Sequence, residues 1–383
     1  MDFDLSEEQN LLKDSVDRLI ADRYGFEARR GFMSEQDGFS RQNWAQLAEL
    51  GLLAVPFAEE HGGIGGGPVE TMIVMEAFGR GLVVEPYLAT VVLGGGLVRH
   101  GGSETLKGEL LPQVAAGELT LAFAQTERGS RYDLHDVSTT AKRDGDGYVV
   151  SGEKGVVLHG DTADRLLVTA RSGGGRRDRH GIGLFLVDAK APGISRRGYP
   201  TQDGMRAAEI SFENVRVGPE HVLGDPEGAL PIVERVVDEA IAALCAEAVG
   251  IMGAMQDTTV DYLKTRKQFG MPIGAFQALQ HRAADMVVMS EQARSMTYLA
   301  TMMAGVDDPA ERGPAIAAAK VQIGRSARFI GQQSVQLHGG VGVTMEYRIG
   351  HYFKRLTMLD QSFGDADHHL SRLAETDGLF KAA

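Results

Sequence analysis

Only one cysteine, Cys245, occurs in the 383 residues, so the chain can form neither an intrachain disulfide nor a cysteine-built zinc site. It lies in an apolar helical pattern, which marks a packed, inert thiol rather than a nucleophile. Long apolar runs are also missing, since none approaches the roughly 18 residues that span a bilayer. The first residues, Met1-Asp2-Phe3-Asp4-Leu5, are acidic where a secretory leader would be basic. A soluble, cytoplasmic chain with no membrane span is the expectation. An excess of positive charge is absent too: 39 Lys and Arg against 52 Asp and Glu give a formal charge of -13. That balance argues against nucleic acid or an anionic membrane as the main partner, yet it allows a local basic pocket for a phosphorylated ligand. What is present is ordinary globular material, 43% hydrophobic and 24% charged, enough for two or three domains around a sizeable core.

Ser6-Glu7-Glu8-Gln9 has the form of a capping box, and Leu11, Leu12, Val16, Leu19 and Ile20 follow at helical spacing, predicting a helix over about 6–23. Further helical patterns cover 42–52, 68–80, 87–100 and 103–116, separated by turns such as the glycine run 62–67. Residues 1–117 therefore read as a helical domain. Near Leu119 the texture changes. Short β-rich runs at 119–124, 148–151, 165–170, 182–187 and 208–212 predict a small antiparallel β domain over 118–226. Between them Gly173-Gly174-Gly175-Arg176-Arg177-Asp178-Arg179 reads as an exposed hairpin loop with a solvated charge cluster. From Glu227 the period is helical again, with long patterns over 227–264, 278–304 and 309–338 and a short one over 365–375. Residues 227–383 thus read as an antiparallel four-helix bundle, and the fold class is α+β multidomain.

One stretch stands out, Gln336-Leu337-His338-Gly339-Gly340-Val341-Gly342 at the end of a long helical pattern. Paired glycines there let a flat or phosphorylated group approach the backbone, though they also serve simply to stop a helix. Arg266-Lys267-Gln268-Phe269-Gly270 lies between two bundle helices. Gln125-Thr126-Glu127-Arg128-Gly129-Ser130 and Gly152-Glu153-Lys154 lie in the β region. With the domain order, these four segments resemble the acyl-CoA dehydrogenase family over essentially the whole chain. The first two are similar to its bundle signatures, the third to its Thr-Glu-Pro-Gly loop with Arg128 in place of proline, and the last to its flavin-facing strand.

The resemblance implies α,β-dehydrogenation of an acyl-CoA thioester with FAD as cofactor and electron transfer flavoprotein as electron acceptor. A carboxylate would take the α-proton and the flavin the β-hydride. It also implies that FAD lies between subunits. One subunit would offer its β-domain loop, with Thr126 at the flavin and Ser130 at the substrate. Its neighbour would offer Arg266 to the pyrophosphate, with Gln268, Phe269, Gln336, Gly339 and Gly340 at the dinucleotide. An arginine at a phosphate has a physical reason in its fixed fork of donors.

Several positions depart from the family pattern. Phe363 stands where the usual glutamate base sits, and Ala240 stands where a second subgroup carries its base. Val156 and Leu158 replace an aromatic residue and a hydroxyl that face the flavin, and Ile241 replaces an arginine beside the thioester. Glu247, Glu239 and Asp365 remain as candidates for a relocated base, Glu247 because burial on an apolar helix would raise its pKa. Asp365 also suits a helix N-cap, and His368 and His369 are expected at the surface or an interface. The segments offered to a neighbour are intact while those of the chain's own site are eroded. That division resembles the small subunits of heteromeric enzymes, especially pimeloyl-CoA dehydrogenase and bacterial steroid side-chain enzymes, whose paralogous large subunit carries the base. A self-sufficient homo-oligomer with a relocated base, a scaffold that binds acyl-CoA without flavin, and acyl-CoA oxidase or flavin monooxygenase relatives are the other readings.

Overall fold

The structure, a computed structural model, describes residues 4–375; the acidic start at Met1, Asp2 and Phe3 lies outside them. The N-terminal helices are α1 (Glu7–Arg23), α2 (Phe26–Met33), α3 (Arg41–Glu49) and α4 (Pro68–Gly81). A π-helical segment, Leu88–Gly95, runs on into α5 (Gly96–Gly101), and α6 covers Glu104–Ala115. The predicted capping box starts α1: the Ser6 hydroxyl accepts from the Gln9 backbone N–H at 3.2 Å, and the Gln9 side chain accepts from the Ser6 N–H at 2.9 Å. One of these N-terminal helices was not legible in the sequence. In α2 the inward residue is Arg29, buried and donating to the Leu82 carbonyl at 2.7 Å, so no apolar stripe announces it.

Eight strands follow: β1 (Leu121–Ala124), β2 (Thr140–Asp144), β3 (Gly147–Leu158), β4 (Arg165–Arg171), β5 (Ile182–Asp188), β6 (Ile194–Pro200), β7 (Arg206–Val217) and β8 (Val222–Leu223). They form one sheet in the order β6-β7-β3-β2-β4-β5-β8, with β1 added to β4. Most pairings are antiparallel, as expected, but β1 runs parallel to β4, and β2 meets β4 in parallel at Thr140 and Arg171. Val150, Val157, Leu166, Phe185, Ile210 and Phe212 fill its core. In β3 the register against β7 shifts between Lys154 and Val157. Val156 sits there at φ 50° and is 49% exposed, whereas Val157 is buried, so the bulge turns one valine out and its neighbour in.

The C-terminal helices are α7 (Leu230–Thr265), α8 (Gln277–Ala304), α9 (Pro309–His338), α10 (Arg348–Gln361) and α11 (Ala366–Glu375), with a small hairpin of β9 (Lys267–Gln268) and β10 (Met271–Pro272) after α7. The chain divides into two compact units, one of residues 1–30, 68–83 and 241–383, the other of 31–67 and 84–240, so α2 and α7 contribute to both. In the first unit α4 and α7 cross at two glycines. A Cβ on Gly79 would lie 2.0 Å from the Glu247 carbonyl oxygen, and one on Gly250 would lie 1.9 Å from that of Glu76. In the second, the Thr90 hydroxyl of the π-helical segment donates to the Leu121 carbonyl and accepts its N–H, both at 3.1 Å, fastening that segment to β1.

Candidate active site

In the first unit, α7 ends where the Arg266 N–H donates to the Tyr262 carbonyl at 2.8 Å, and the chain turns through Phe269 and Gly270, both in the left-handed region. Phe269 is 89% exposed and meets Phe276 edge to face with ring centroids 6.0 Å apart. The Gln268 side-chain amide donates to the Lys267 carbonyl at 2.8 Å. The Arg266 side chain is exposed, with no hydrogen bond or ion pair among the described residues. At the end of α9, Gly339 takes φ 60° and ψ -140°, and a Cβ on Gly339 or Gly340 would meet no described residue within 4 Å. Gln336, one turn earlier, is exposed.

Two aromatic contacts bring these segments together. Tyr262, one turn before Arg266, stacks on His338, next to Gly339, with centroids 4.4 Å apart and planes 30° apart; Tyr347 tilts against the same imidazole at 5.3 Å. Burial lowers the His338 pKa, and its Nδ1 lies 2.8 Å from the Ser334 carbonyl, so the stacked ring is neutral at pH 7. Sequence reasoning missed Tyr262 and Tyr347. The spacing of Tyr262 four residues before Arg266, on one helix face, was the available signal.

In the second unit, the loop after β1 is built on a buried ion pair. The Lys154 ammonium donates to the Glu127 carboxylate at 2.7 Å, to the Gln125 carbonyl at 3.1 Å and to the Thr169 hydroxyl at 3.1 Å. Glu127 also accepts from the backbone N–H groups of Ser138 at 2.7 Å and Thr139 at 3.0 Å. Burial would push its pKa up, but the Lys154 charge and these hydrogen bonds outweigh that and hold it down, at about 2. The Ser130 hydroxyl accepts from the Glu127 N–H and donates to its carbonyl, at 3.1 and 3.0 Å, so it is engaged within its own turn. The Thr126 carbonyl accepts from Gly155 at 2.8 Å, and its hydroxyl lies 3.3 Å from the Gln125 amide oxygen. Leu158 is half-buried and Val156 largely exposed.

Each carboxylate considered as a base has a structural partner. Glu247 is 4% exposed and accepts two hydrogen bonds from Arg355, at 2.6 and 2.8 Å. Glu239 is bound by Arg99 at 2.5 Å, His100 at 2.9 Å and Arg235 at 3.3 Å. Burial opposes its ionisation, but the His100 hydrogen bond, the Arg99 charge and the Arg235 hydrogen bond outweigh it and hold its pKa below the usual value. Asp365 accepts from the His368 N–H at 2.8 Å and caps α11. Ala240 and Ile241 are fully buried and inert. Phe363 sits at φ 55°, and its carbonyl lies 3.0 Å from the His369 Nε2. His369 was expected at the surface or an interface but is fully buried, and burial with the charges of Lys320 and Arg372 lowers its pKa to about 3.

The acyl-CoA dehydrogenase N-terminal, middle and C-terminal domain families match residues 6–118, 122–215 and 230–376. The chain is 30% identical over 386 residues to the probable acyl-CoA dehydrogenase YngJ of Bacillus subtilis, with all of both chains covered. It is 31% identical to acyl-CoA dehydrogenase FadE12 of Mycobacterium tuberculosis, covering 90% of this chain and 89% of that one. Among solved structures, a variant of the Tcur3481-Tcur3483 steroid ACAD matches with a TM-score of 0.88 and 31% identity, over 97% of this chain and 98% of that one. The ChsE4-ChsE5 complex from Mycobacterium tuberculosis matches with a TM-score of 0.89 and 25% identity over all of both chains. With three domain families matched in order along nearly its whole length, the chain belongs to the acyl-CoA dehydrogenase family, oxidoreductases that act on CH–CH bonds.

Proposed function

We propose that this chain is the small subunit of a heteromeric, FAD-dependent acyl-CoA dehydrogenase, and that it completes a flavin site whose base a paralogous partner carries. The observation that carries the reading is a contrast between its two halves. The dinucleotide-type segments of the bundle keep their polar and aromatic groups uncommitted: Arg266 has no partner among the described residues, Phe269 is exposed, and Gly339 and Gly340 leave the space of a Cβ open. The carboxylates that would serve as a base are instead all committed to ion pairs or a helix cap. Phe363 has no proton to exchange, and an exposed valine, Val156, and a half-buried leucine, Leu158, stand on β3 without a polar group to offer.

The donor set fits FAD. Arg266 would pair with the pyrophosphate, Gln336 and the backbone at Gly339 and Gly340 would border the dinucleotide, Gln268 and Phe269 would pack on it, and the stacked Tyr262–His338 pair holds the two segments in register. Thr126 remains the β-domain contribution. When bound, FAD supplies the hydride acceptor for α,β-desaturation of the thioester. The chain's own residues bind and orient; among the described residues none is placed here to remove the α-proton. The likeness to a solved ChsE4-ChsE5 complex supports a hetero-oligomeric reading; the likeness to a steroid ACAD supports a steroid side-chain thioester as substrate class, and pimeloyl-CoA is the class that the sequence resemblance implies. Electron transfer flavoprotein is the proposed acceptor, and 1–117, 118–226 and 227–383 are the proposed domains. Purified alone, the chain is expected to hold little FAD and to leave added FAD oxidised when given acyl-CoA, with both recovered on assembly with a base-bearing paralogue. Stoichiometric flavin and rapid bleaching in the isolated chain would instead identify a self-sufficient enzyme.

A further inference from the structure

Helix α2 turns a charge inward where an apolar residue would pack more readily: Arg29 is 1% exposed. A buried guanidinium carries a desolvation cost that only well-placed acceptors offset, so its surroundings indicate what it is kept for. Its Nε donates to the Leu82 carbonyl at 2.7 Å. Its Nη1 lies 3.5 Å from Nδ1 of His351, which stands in the first turn of α10 and is 5% exposed. On the far side of the same imidazole, Nε2 lies 3.0 Å from the Met345 carbonyl. The Phe26 ring of α2 meets the imidazole edge to face, with centroids 5.0 Å apart.

These contacts select one tautomer. Arginine keeps its protons, so Nδ1 faces an N–H and must offer its lone pair; the ring proton then sits on Nε2 and is donated to Met345. A second ring proton would set N–H against N–H. Burial, joined by the charges of Arg29, Lys354 and Arg30 and opposed by the Met345 carbonyl, lowers the His351 pKa, so the ring is neutral at pH 7. Glu27, on α2, is taken by Arg30 at 3.1 Å, and Glu346, beside Met345, is exposed.

The accepting carbonyl matters because of its place. Met345 closes the glycine segment that begins at Gly339, and α10 starts three residues later. The inner side of that segment is gripped by close packing: a Cβ on Gly342 would lie 2.8 Å from the Val335 carbonyl oxygen, and one on Gly350 would lie 3.3 Å from that of Gly342. Its outer residues Val341, Val343 and Met345 are exposed. There the Thr344 N–H donates to the Val341 carbonyl at 3.2 Å, and the Lys354 ammonium lies 3.3 Å from Met345 Sδ. The bond from His351 is what ties the Met345 backbone to α10 and, through Arg29, to α2.

We infer that His351, oriented by Arg29, is a positioning residue for the cofactor: its Nε2–H holds the Met345 carbonyl and so sets the backbone of 339–345 before the dinucleotide arrives. This rests on the reading of that segment as part of a flavin site. It also accounts for the charge buried on α2, which selects the tautomer able to donate.

The test compares wild type with His351→Leu, which removes the bond, and His351→Gln, whose amide can donate to Met345 and accept from Arg29 as the neutral imidazole does. In the full chain without flavin, His351→Leu should speed backbone hydrogen exchange over 341–347 by about threefold or more, with the β domain unchanged and His351→Gln near wild type. In the assembly with the base-bearing paralogue, His351→Leu should weaken FAD binding by about three- to tenfold, the loss of one net hydrogen bond, and His351→Gln should recover most of it. The pH profile separates positioning from packing. Wild-type FAD affinity should hold from about pH 8 to about pH 7 and fall toward about pH 5 as the ring takes a second proton, while the His351→Gln profile stays flatter. If melting curves show that His351→Leu does not fold, the wild-type and His351→Gln profiles decide alone. Unchanged exchange and FAD affinity in folded His351→Leu, or matching pH profiles for wild type and His351→Gln, would overturn the positioning role. A wild-type assembly that takes up no FAD would instead overturn the flavin reading and the cofactor role with it, and the exchange rates would still decide whether His351 holds the segment.

Discussion

Glu247 illustrates how a single residue changes meaning between sequence and structure. Its place on an apolar helix suggested a base of raised pKa, but Arg355 meets it side-on from α10 and uses both of its oxygens. Removing one partner leaves a buried charge without compensation, which costs about 3–5 kcal/mol. Arg355→Leu should therefore shift the urea midpoint strongly. Glu247→Leu combined with Arg355→Met should recover most of the loss, and equal destabilisation by the single and double variants would refute the pairing argument. Glu85 makes the opposite case. It is 2% exposed, its oxygens have no hydrogen bond of ordinary geometry among the described residues, and burial, opposed by nearby backbone N–H groups including that of Ser40, raises its pKa from 4.5 to about 8. The folded state thus holds a proton that the unfolded state releases above its own pKa. Stability is undiminished below about pH 4.5 and falls as pH rises toward 8, with a ceiling of about 5 kcal/mol at 1.36 kcal/mol per unit. Glu85→Gln should widen its stability advantage over wild type between pH 5 and 8 and hold it level above that. A pH-independent difference in chemical denaturation would show that the carboxyl is ionised in the fold.

Among elements, legibility followed the kind of residue that faces inward. The pattern for α9 at 309–338 coincides with the helix, since alanines, isoleucines and valines mark its buried face. In α10 the buried stripe mixes His351 and Arg355 with Ile349, Tyr352 and Leu356, and the apolar period is lost. β6, an edge strand, exposes Arg197 and turns a half-buried Arg196 onto the Gly160 and Ala163 carbonyls, and it shows no β-rich run. The bundle segments of the candidate site were legible because glycines and an arginine at fixed spacing carry their own chemistry. The stacked Tyr262–His338 pair and the Asp136 carboxylate that accepts from Arg176 and Arg177 were not, because each joins residues some 40 or more positions apart. The glycine crossing of α4 and α7 was hidden for the same reason, and it carries a prediction. A methyl group on Gly250 would sit 1.9 Å from the Glu76 carbonyl, against backbone that cannot rotate away. Gly250→Ala should cost about 1–3 kcal/mol or more by overpacking, despite the better helix propensity of alanine. Gly108, exposed in α6 with nothing near its Cβ position, is the control, and Gly108→Ala should be neutral or stabilising.

At the scale of the whole molecule, what needs explanation is the division of labour along the chain. A bundle end with uncommitted groups belongs to a protein that meets something else, and the proposed flavin is one of two candidates for what it meets. A scaffold that docks a partner through Phe269 alone would use the same exposed surface without needing a cation. Arg266 separates the two, because its exposed guanidinium makes no hydrogen bond or ion pair among the described residues, so its loss should remove charge without disturbing the fold. Arg266→Ala should leave the melting temperature of the isolated chain and its co-purification with the base-bearing paralogue unchanged. It should lower the FAD content of the assembly by an order of magnitude or so, as expected for one charge-assisted phosphate contact of about 1.5–3 kcal/mol. Arg266→Lys should recover only part of that occupancy, since an ammonium supplies the charge without the fork. Phe269→Ser, in contrast, should weaken assembly and flavin retention together, through the lost apolar contact. An Arg266→Ala assembly with full flavin would mean that this end of the bundle serves the partner protein only, and the small-subunit reading would then lose the chemical role that motivates it.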